Sequence, residues 1–190
     1  MSSLEHGEQS NRDGCLVSRR IKTPLGVMVA IADDEGLHLL DFLDRKGLDR
    51  KMVAIRAATG RAVVPGENAH LGAVADALGA YFDGSRLTFE VPLVPLGTDW
   101  QRRVWGHLGT IPPGSTRSYS WMADSLDRPS ARRAVGNANG LNYLAIVIPC
   151  HRVIRSDGML CGYGGGLWRK QWLLDHERVH ALPIGAGPIG

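Results

Sequence analysis

A group of residues that break helices and strands interrupts the chain near its middle, at Pro92, Pro95 and Gly97. Proline lacks a backbone N–H and restricts the residue before it, so neither a helix nor a central strand runs through this stretch. We therefore predict that the 190-residue chain forms two units and a flexible tail, at residues 1–96, 97–178 and 179–190. A composition of 44% hydrophobic and 22% charged residues is typical of folded domains and argues against disorder.

The first unit has the pattern of a small antiparallel sheet followed by helices. Apolar runs separated by Pro/Gly and Asp/Gly turns predict two strands within residues 20–32 and a third at 36–42. Helices are predicted at 48–59 and 68–82. The apolar residues of the second helix form one stripe, at Leu71, Val74, Ala75, Leu78 and Phe82.

The second unit is predicted to be mostly helical, so that the fold class is α/β in the α+β arrangement. Its helices are predicted at 99–108, 119–126, 130–139 (capped by Ser130) and 167–176. Two of them are short and joined by a tight turn at 127–129, which is the outline of a helix-turn-helix, although an ordinary helical hairpin is as common on this pattern alone. The apolar run at 144–148 predicts a buried strand.

The positive charge of the chain is concentrated in its second half. The net charge is +3, but residues 1–97 contain 11 Lys and Arg against 13 Asp and Glu, a net charge of −2, and residues 98–190 contain 11 against 6, a net charge of +5. A basic bias of this kind suits a polyanionic partner such as nucleic acid, although many solvated surfaces show the same bias.

The cysteine content and the first residues argue against a secreted or membrane protein. The chain has three cysteines without a C-x-x-C pair, and it starts with neither a basic nor an apolar segment. Its apolar runs are far shorter than the ~20 residues that span a bilayer. Cys15, His38 and His70 lack metal-ligand spacing. We expect a soluble cytoplasmic monomer with reduced thiols, no metal, no cofactor and no membrane partner.

Cys150 is the candidate nucleophile. Taken alone, a cysteine after an apolar run is most often a small buried hydrophobic residue. A free thiol has a pKa of about 8.5, so a nucleophilic cysteine needs a base or a positive charge close by. Pro149 precedes Cys150, and His151 and Arg152 follow it with an ionisable ring and a fixed charge. These neighbours favour a reactive thiol.

The sequence Ile-Pro-Cys-His-Arg-Val at residues 148–153 closely resembles the signature of the O6-alkylguanine-DNA alkyltransferase family, also called methylated-DNA–protein-cysteine methyltransferases. The resemblance covers residues 97–177 and includes further motifs at 97–105, 133–136 and 162–166. Residues 1–96 match the family only in general form. The resemblance implies a ribonuclease-H-like sheet domain followed by a winged helix-turn-helix-like catalytic domain.

This family repairs DNA by direct reversal of damage, which defines the implied activity. Such a protein binds double-stranded DNA in the minor groove, flips out O6-alkylguanine or O4-alkylthymine, and transfers the alkyl group to its own cysteine, here Cys150. The transfer is irreversible and happens once per molecule. Flipping a base costs a few kcal/mol, less where a lesion already weakens pairing. The resemblance implies no cofactor, and association with the nucleoid when DNA is bound.

The resemblance also assigns roles in alkyl transfer. The family's relay corresponds to Cys150, His151 and Glu177, with a water between thiol and imidazole and with the carboxylate orienting the ring. Tyr119 is implied to offer its hydroxyl to the base edge. Lys170 is implied to lie near the nucleophile.

Other matching positions are implied to line the base and alkyl pocket. The backbone N–H of Gly164 would face the guanine oxygen, and the carbonyl groups of Cys150 and Val153 would face the exocyclic amine. Tyr163 and Gly165 match positions that shape the alkyl pocket. Because Gly165 has no side chain, we expect room for alkyl groups larger than methyl.

The predicted recognition helix is implied to carry the DNA contacts. Arg133 matches the family's arginine that takes the place of the extruded base in the stack, and Arg132 is a candidate phosphate contact. Ala134 and Gly136 are small, so the helix backbone can approach the duplex closely. Asn142 matches a hinge residue that ties the helix-turn-helix to the active-site segment.

Three alternative functions remain open from the sequence. A non-catalytic relative that only binds alkylated DNA would carry Trp in place of Cys150. The chain could instead be the DNA-binding fragment of a fused transcription regulator. A third possibility is a cysteine hydrolase with ordinary turnover, which stoichiometry distinguishes, because an alkyltransferase stops after one equivalent.

Overall fold

The computed structural model describes residues 14–181. The strands are β1 (Leu16–Thr23), β2 (Gly26–Ala32), β3 (Leu37–Phe42), β4 (Val63–Pro65), β5 (Arg117–Ser118) and β6 (Val153–Ile154). The helices are α1 (Leu48–Thr59), α2 (Ala69–Phe82), α3 (Asp99–Leu108), α4 (Tyr119–Ser125), α5 (Arg132–Gly140) and α6 (Leu167–His180). Within this described part, no helix is long and apolar enough to cross a membrane. The predicted tail starts too early, since residues 179 and 180 belong to α6, and its remainder from 182 onward lies outside the described residues.

The first half folds as a four-stranded sheet in the order β3-β2-β1-β4. The three antiparallel strands confirm the predicted small sheet, whose first strand starts at Leu16 rather than near residue 20. The short strand β4 pairs parallel with β1 and was not predicted. Three residues are too few to show a strand periodicity, so only the tertiary pairing identifies it.

Helix α2 packs its apolar face on this sheet, but the buried stripe differs slightly from the predicted one. Leu71, Val74 and Leu78 are buried as predicted. Tyr81 is fully buried, whereas Phe82 is only partly buried against the core. Tyr81 points into the core because its hydroxyl has a partner there. It donates a hydrogen bond at 2.8 Å to Oε1 of Glu177 on α6.

The second half contains the predicted helix-turn-helix. Helix α3 begins with a capping box, in which the side chains of Thr98 and Gln101 each accept from the other residue's backbone N–H. Helix α4 is capped by Ser118. The predicted cap at Ser130 is wrong, because a 3-10 turn at Pro129–Ala131 precedes α5 and no side chain caps that helix. The mixed α/β fold class is confirmed.

The predicted strand at residues 144–148 is wrong, and its actual conformation matters for the site. Its residues are buried except Val147, which is partly buried, but the segment forms tight turns, with Ile146 at a φ of 71°. A β-branched residue in the left-handed region is strained and needs surrounding contacts to hold it there. Leu40 of β3 supplies them through backbone bonds to Tyr143 and Ala145 at 2.9 and 2.8 Å. The run is apolar because it is buried, not because it is extended.

Candidate active site

Cys150 lies at the start of a 3-10 turn, Cys150–Arg152, directly after the buried turns of residues 144–148. Its side chain is buried, with the residue 5% exposed. Burial raises the pKa of the Cys150 thiol, and a hydrogen bond from Asn142 and the charges of Arg45, Lys51 and Lys170 only partly oppose this. The resting thiol is therefore protonated at neutral pH and needs a base to become a nucleophile.

His151, the candidate base, follows Cys150 in the same 3-10 turn. Its Nε2 lies 2.8 Å from Oε1 of Glu177, and both side chains are fully buried. A carboxylate can only accept, so Nε2 carries the proton and Nδ1 keeps its lone pair. Burial lowers the pKa of His151, with Glu177 opposing this shift. Among the described residues, no group hydrogen-bonds to Nδ1, so it is available to take a proton.

Glu177 is the centre of a buried hydrogen-bond network at the end of α6. In addition to His151, it accepts from Nε and Nη2 of Arg152 at 2.8 and 2.9 Å, and from the Tyr81 hydroxyl. The backbone N–H of Gly114 donates to it at 3.3 Å. Burial alone would raise the pKa of Glu177, but the hydrogen bonds from His151 and Arg152 outweigh it and hold that pKa well below the usual range. The carboxylate is therefore ionised and oriented.

The expected role of Arg152 as the charge beside the sulfur is wrong. Its guanidinium makes a two-pronged contact with Glu177 and donates to the Ile111 carbonyl at 2.6 Å. The charges that lower the pKa of the Cys150 thiol are those of Arg45, Lys51 and Lys170. The partner of Arg152 is thus a residue of α6, which its place two residues after Cys150 in the sequence cannot show.

Two of the cations that act on the thiol come instead from the first half of the chain. Arg45 and Lys51 both bind Asp41, a fully buried carboxylate on β3, at 2.8 and 2.7 Å. Arg45 also donates to the Gly140 carbonyl at 2.6 Å, and both cations donate to the Asn142 carbonyl. Sequence reasoning missed all three residues. The available signal was Asp41, a carboxylate in the mostly apolar strand β3.

Asn142 connects α5 to the active-site turn, as the resemblance implied. Its Nδ2 donates to the carbonyl groups of Ile148 and Leu144 at 2.8 and 3.3 Å, and its Oδ1 accepts from the N–H of Leu144 at 2.9 Å. The residue is 1% exposed. It therefore fixes the turn that presents Cys150.

We predict that Asn142→Ala lowers the free energy of unfolding by about 2–3 kcal/mol, because buried backbone groups lose their partners. The same change removes the hydrogen bond that favours the Cys150 thiolate, so alkylation also slows. Denaturant unfolding measures the first effect. Asn137→Ala, at an exposed position of α5, is the control and is expected to stay within about 0.5 kcal/mol. Equal stability of the two variants would contradict the prediction.

Tyr119 and Lys170 both lie at the site, and each has its own hydrogen-bond partners. The Tyr119 hydroxyl accepts from Nδ2 of Asn139 at 3.4 Å, and the same amide donates to the Cys150 carbonyl at 3.2 Å. Burial raises the pKa of Tyr119, and the nearby Cys161 thiol adds to this shift, so the hydroxyl stays protonated. Lys170 is fully buried, and its Nζ donates to the carbonyl groups of Val153 and Cys161 at 2.6 and 2.7 Å.

These contacts bear on the carbonyl groups expected to face a guanine amine. The carbonyl of Cys150 already accepts from Asn139, and that of Val153 from Lys170. Each carbonyl oxygen has a second lone pair, so each can still accept from a ligand. Burial lowers the pKa of Lys170, while the thiols of Cys150 and Cys161 oppose the shift.

The glycine loop is closely packed against the first half of the chain. A Cβ atom at Gly164 would collide with the Arg45 guanidinium, and one at Gly165 would lie 2.9 Å from ring atoms of Phe42 and Tyr163. The space next to Gly165 is thus filled by these rings, which removes the premise for expecting extra room there. Arg169 clamps the loop through the Gly165 carbonyl at 2.9 Å.

Tyr163 is partly buried against the core, with its hydroxyl oxygen buried. Burial raises the pKa of its hydroxyl well above the ordinary value, and Cys150 adds to this effect, which places the ring within electrostatic range of the thiol. Within residues 14–181, the buried hydroxyl oxygen has no hydrogen-bond partner. The ring also lies 2.9 Å from the Cβ position of Gly165.

The exposed face of α5 carries the residues expected to contact DNA. Arg132, Arg133 and Ala134 are exposed at its start, and Gly136 is half-buried against the Tyr119 ring, 3.9 Å from its Cβ position. The opposite face is buried, at Val135, Ala138 and Asn139. The second half of the chain thus contains the thiol, the candidate base and a helix with exposed arginines.

This fold and this site define a helix-turn-helix protein with a buried cysteine followed in the same turn by a histidine that is hydrogen-bonded to a buried carboxylate. Residues 99–179 match the model of the 6-O-methylguanine DNA methyltransferase DNA-binding domain, and residues 16–95 match that of its ribonuclease-like domain. The chain belongs to the 6-O-methylguanine DNA methyltransferase family. The family resemblance seen in the sequence is confirmed, and it extends to the first half of the chain.

Individual relatives agree with this assignment. A methylated-DNA–protein-cysteine methyltransferase from Mycolicibacterium paratuberculosis is 45% identical over 163 residues, which cover 86% of this chain and 93% of that protein. The protein of the same name from Mycobacterium tuberculosis H37Rv is 54% identical over 117 residues, covering 62% and 70%. A crystal structure of Mycobacterium tuberculosis OGT in complex with DNA has a TM-score of 0.74 at 41% identity, covering 86% of this chain and 94% of that one.

Proposed function

We propose that this chain repairs double-stranded DNA by transferring the alkyl group of O6-alkylguanine to Sγ of Cys150, irreversibly and once per molecule. The observation that carries the proposal is the buried Cys150 thiol in the same turn as His151, whose Nε2 is held by Glu177 and whose Nδ1 is available. Repair by alkyl transfer to cysteine is the activity of the family to which the chain belongs. DNA is therefore its partner, as in the crystal structure of the mycobacterial relative.

In the proposed reaction, Nδ1 of His151 takes the thiol proton through one water. The resulting thiolate attacks the alkyl carbon, an S–C bond forms, and the bond from that carbon to the guanine oxygen breaks. The electron pair of the broken bond stays on the departing guanine. The protonated hydroxyl of Tyr119 and the N–H of Gly164 stabilise this developing charge by hydrogen bonding. Glu177 stabilises the imidazolium ion that forms.

The target base must leave the helix stack to reach this buried thiol. We propose that α5 lies in the minor groove, that Arg133 occupies the space of the extruded base and that Arg132 contacts a phosphate. Both arginines are exposed at the start of α5, and the small residues Ala134 and Gly136 permit close approach. The minor groove carries little sequence information, which suits a repair protein that acts in any context. We also propose that the chain acts as a cytoplasmic monomer, with residues 1–96 and 97–178 as its two units.

We predict that Arg133→Ala slows alkyl transfer from duplex DNA by about 10- to 100-fold, because a stacking contribution of about 1–3 kcal/mol is lost. Transfer from single-stranded DNA, where little unstacking is required, is expected to change much less. Single-turnover kinetics on both substrates measures the ratio. Arg132→Ala is the matched control and is expected to weaken DNA binding without changing that ratio. If both variants slow the two substrates equally, Arg133 has no role in base flipping.

Intact-mass measurement tests the proposed reaction. After incubation with O6-methylguanine DNA, the protein is expected to gain the mass of one CH₂ group on Cys150 and then to stop reacting. A cysteine hydrolase would continue to turn over and would keep its original mass. A regulatory fragment that only binds DNA would also show no mass gain. An unchanged mass would thus overturn the proposal.

A further inference from the structure

A basic cleft lies where the first half of the chain meets the end of the recognition helix α5. It has a volume of about 260 Å³. Four cationic residues of the β3–α1 region line one side, and the end of α5 and the residues after it line the other. The cationic residues are Arg45, Lys46, Arg50 and Lys51. The opposite side consists of Gly140, Leu141 and Tyr143.

Two of the four cations are already engaged in the fold. Arg45 and Lys51 bind the buried Asp41 and the carbonyl groups at the end of α5. Cations are favourable there because the last carbonyl groups of a helix carry partial negative charge. These contacts explain why Arg45 and Lys51 are positioned as they are, but they do not involve Lys46 or Arg50.

Lys46 and Arg50 are exposed and have no ion pair among the described residues. The acidic residues of the same region do not neutralise them. Asp41 is bound by Arg45 and Lys51, Asp44 is bound by Arg169 at 2.9 Å, and Asp49 lines a different cleft. The cleft therefore presents two free positive charges to solvent.

The end of α5 leaves open space in front of Lys46 and Arg50, through which a ligand can reach them. Gly140 is exposed, and a Cβ atom there would meet no atom within 4 Å. Helix α5 has nine residues and is ~13 Å long, about twice the ~6 Å width of the minor groove. Both ends of a helix seated in that groove thus lie close to a phosphate strand.

We propose that this cleft binds a backbone phosphate of the DNA duplex through Lys46 and Arg50. This inference rests on the proposed function, because it takes α5 to be the helix that enters the DNA. It assigns a DNA contact to the first half of the chain, whose net charge is negative and whose sequence motifs indicate no such role. The start of α5 would then bind DNA through Arg132 and Arg133, and its end through the cleft.

The test measures binding of unmodified duplex DNA by the full chain at several salt concentrations. Each phosphate contact contributes about −0.9 to the slope of log affinity against log salt. The double variant Lys46→Gln/Arg50→Gln removes both cations from one phosphate and is therefore expected to lose about 0.9 units of slope and on the order of tenfold in affinity at low salt. Arg56→Gln is the matched control, because Arg56 is an exposed cation of α1 that does not line the cleft. It is expected to bind as the wild-type chain does.

An unchanged slope in the double variant would overturn the inference, and so would an equal loss in Arg56→Gln, which would indicate a general charge effect. Methyl transfer from O6-methylguanine DNA is measured in parallel on the wild-type chain. If the wild-type chain gains no methyl group, the proposed function fails, while the slope on unmodified DNA still decides whether the cleft binds phosphate. If the wild-type chain gains the methyl group but the double variant has the same salt slope as the wild-type chain, only the cleft inference fails.

Discussion

Replacing Cys150 by serine is expected to abolish alkyl transfer and to leave the fold intact. A serine hydroxyl is similar in shape to the thiol, but it is far less acidic and a far weaker nucleophile toward an alkyl carbon. The intact mass of Cys150→Ser is expected to stay unchanged after prolonged incubation with O6-methylguanine DNA. Binding of the same DNA is expected to persist, because the thiol lies in the pocket rather than on the exposed face of α5.

Cys15→Ser is the control for this experiment. It makes the same chemical change in the first half of the chain, outside the pocket, and is expected to accept one methyl group as the wild-type chain does. A mass gain in Cys150→Ser would contradict the prediction. Peptide mapping would then show whether Cys161, which lies near Tyr119, is the acceptor instead.

Glu177→Gln is expected to have the largest effect on stability. The neutral amide no longer balances the guanidinium of Arg152, which is 6% exposed, and it can satisfy only part of the network. Removing one partner of a buried ion pair costs about 3–5 kcal/mol. Alkyl transfer is expected to slow as well, because the imidazolium form of His151 loses its carboxylate. Denaturant unfolding and single-turnover kinetics measure the two effects.

The control is Glu67→Gln, which removes an exposed ion pair with Arg19 and is expected to cost less than about 1 kcal/mol. Equal stability of the two variants would mean that the Glu177 network contributes nothing. The pH dependence gives a second readout. The pKa of Glu177 is lowered in the fold, so its contribution is present above the unfolded value of about 4.3 and is lost as the pH falls below it. Stability of the wild-type chain should therefore fall more steeply below that pH than stability of Glu177→Gln.

Local patterns predicted most of the helices well. The predicted helices at 48–59 and 99–108 agree with α1 and α3, because their apolar spacing and end signals are encoded within each segment. The failure at residues 144–148 has a physical reason. A short apolar run shows that a segment is buried, but a strand and a set of buried turns bury it equally well.

The sequence likewise indicated some residues of the site and missed others. The motif around Cys150 and the resemblance that it carries indicated the thiol, its candidate base and the glutamate of α6, and the structure places that base and the glutamate in hydrogen-bond contact. The sequence analysis was wrong about the charge of Arg152, which binds Glu177. It also missed Arg45, which contacts the site from the first half of the chain. A contact across 95 residues, such as that between Arg45 and Gly140, leaves no local pattern.

By itself, the sequence determined the chemistry available to this protein: one cysteine beside a histidine, a distant glutamate and a helix with exposed arginines. The tertiary structure decided the ionisation states and the partners of these groups. Burial raises the pKa of Cys150 and lowers that of His151, while Tyr81 and Arg152 hold Glu177 in place. These effects depend on desolvation and on contacts between residues far apart in the chain, and both arise only when the chain has folded.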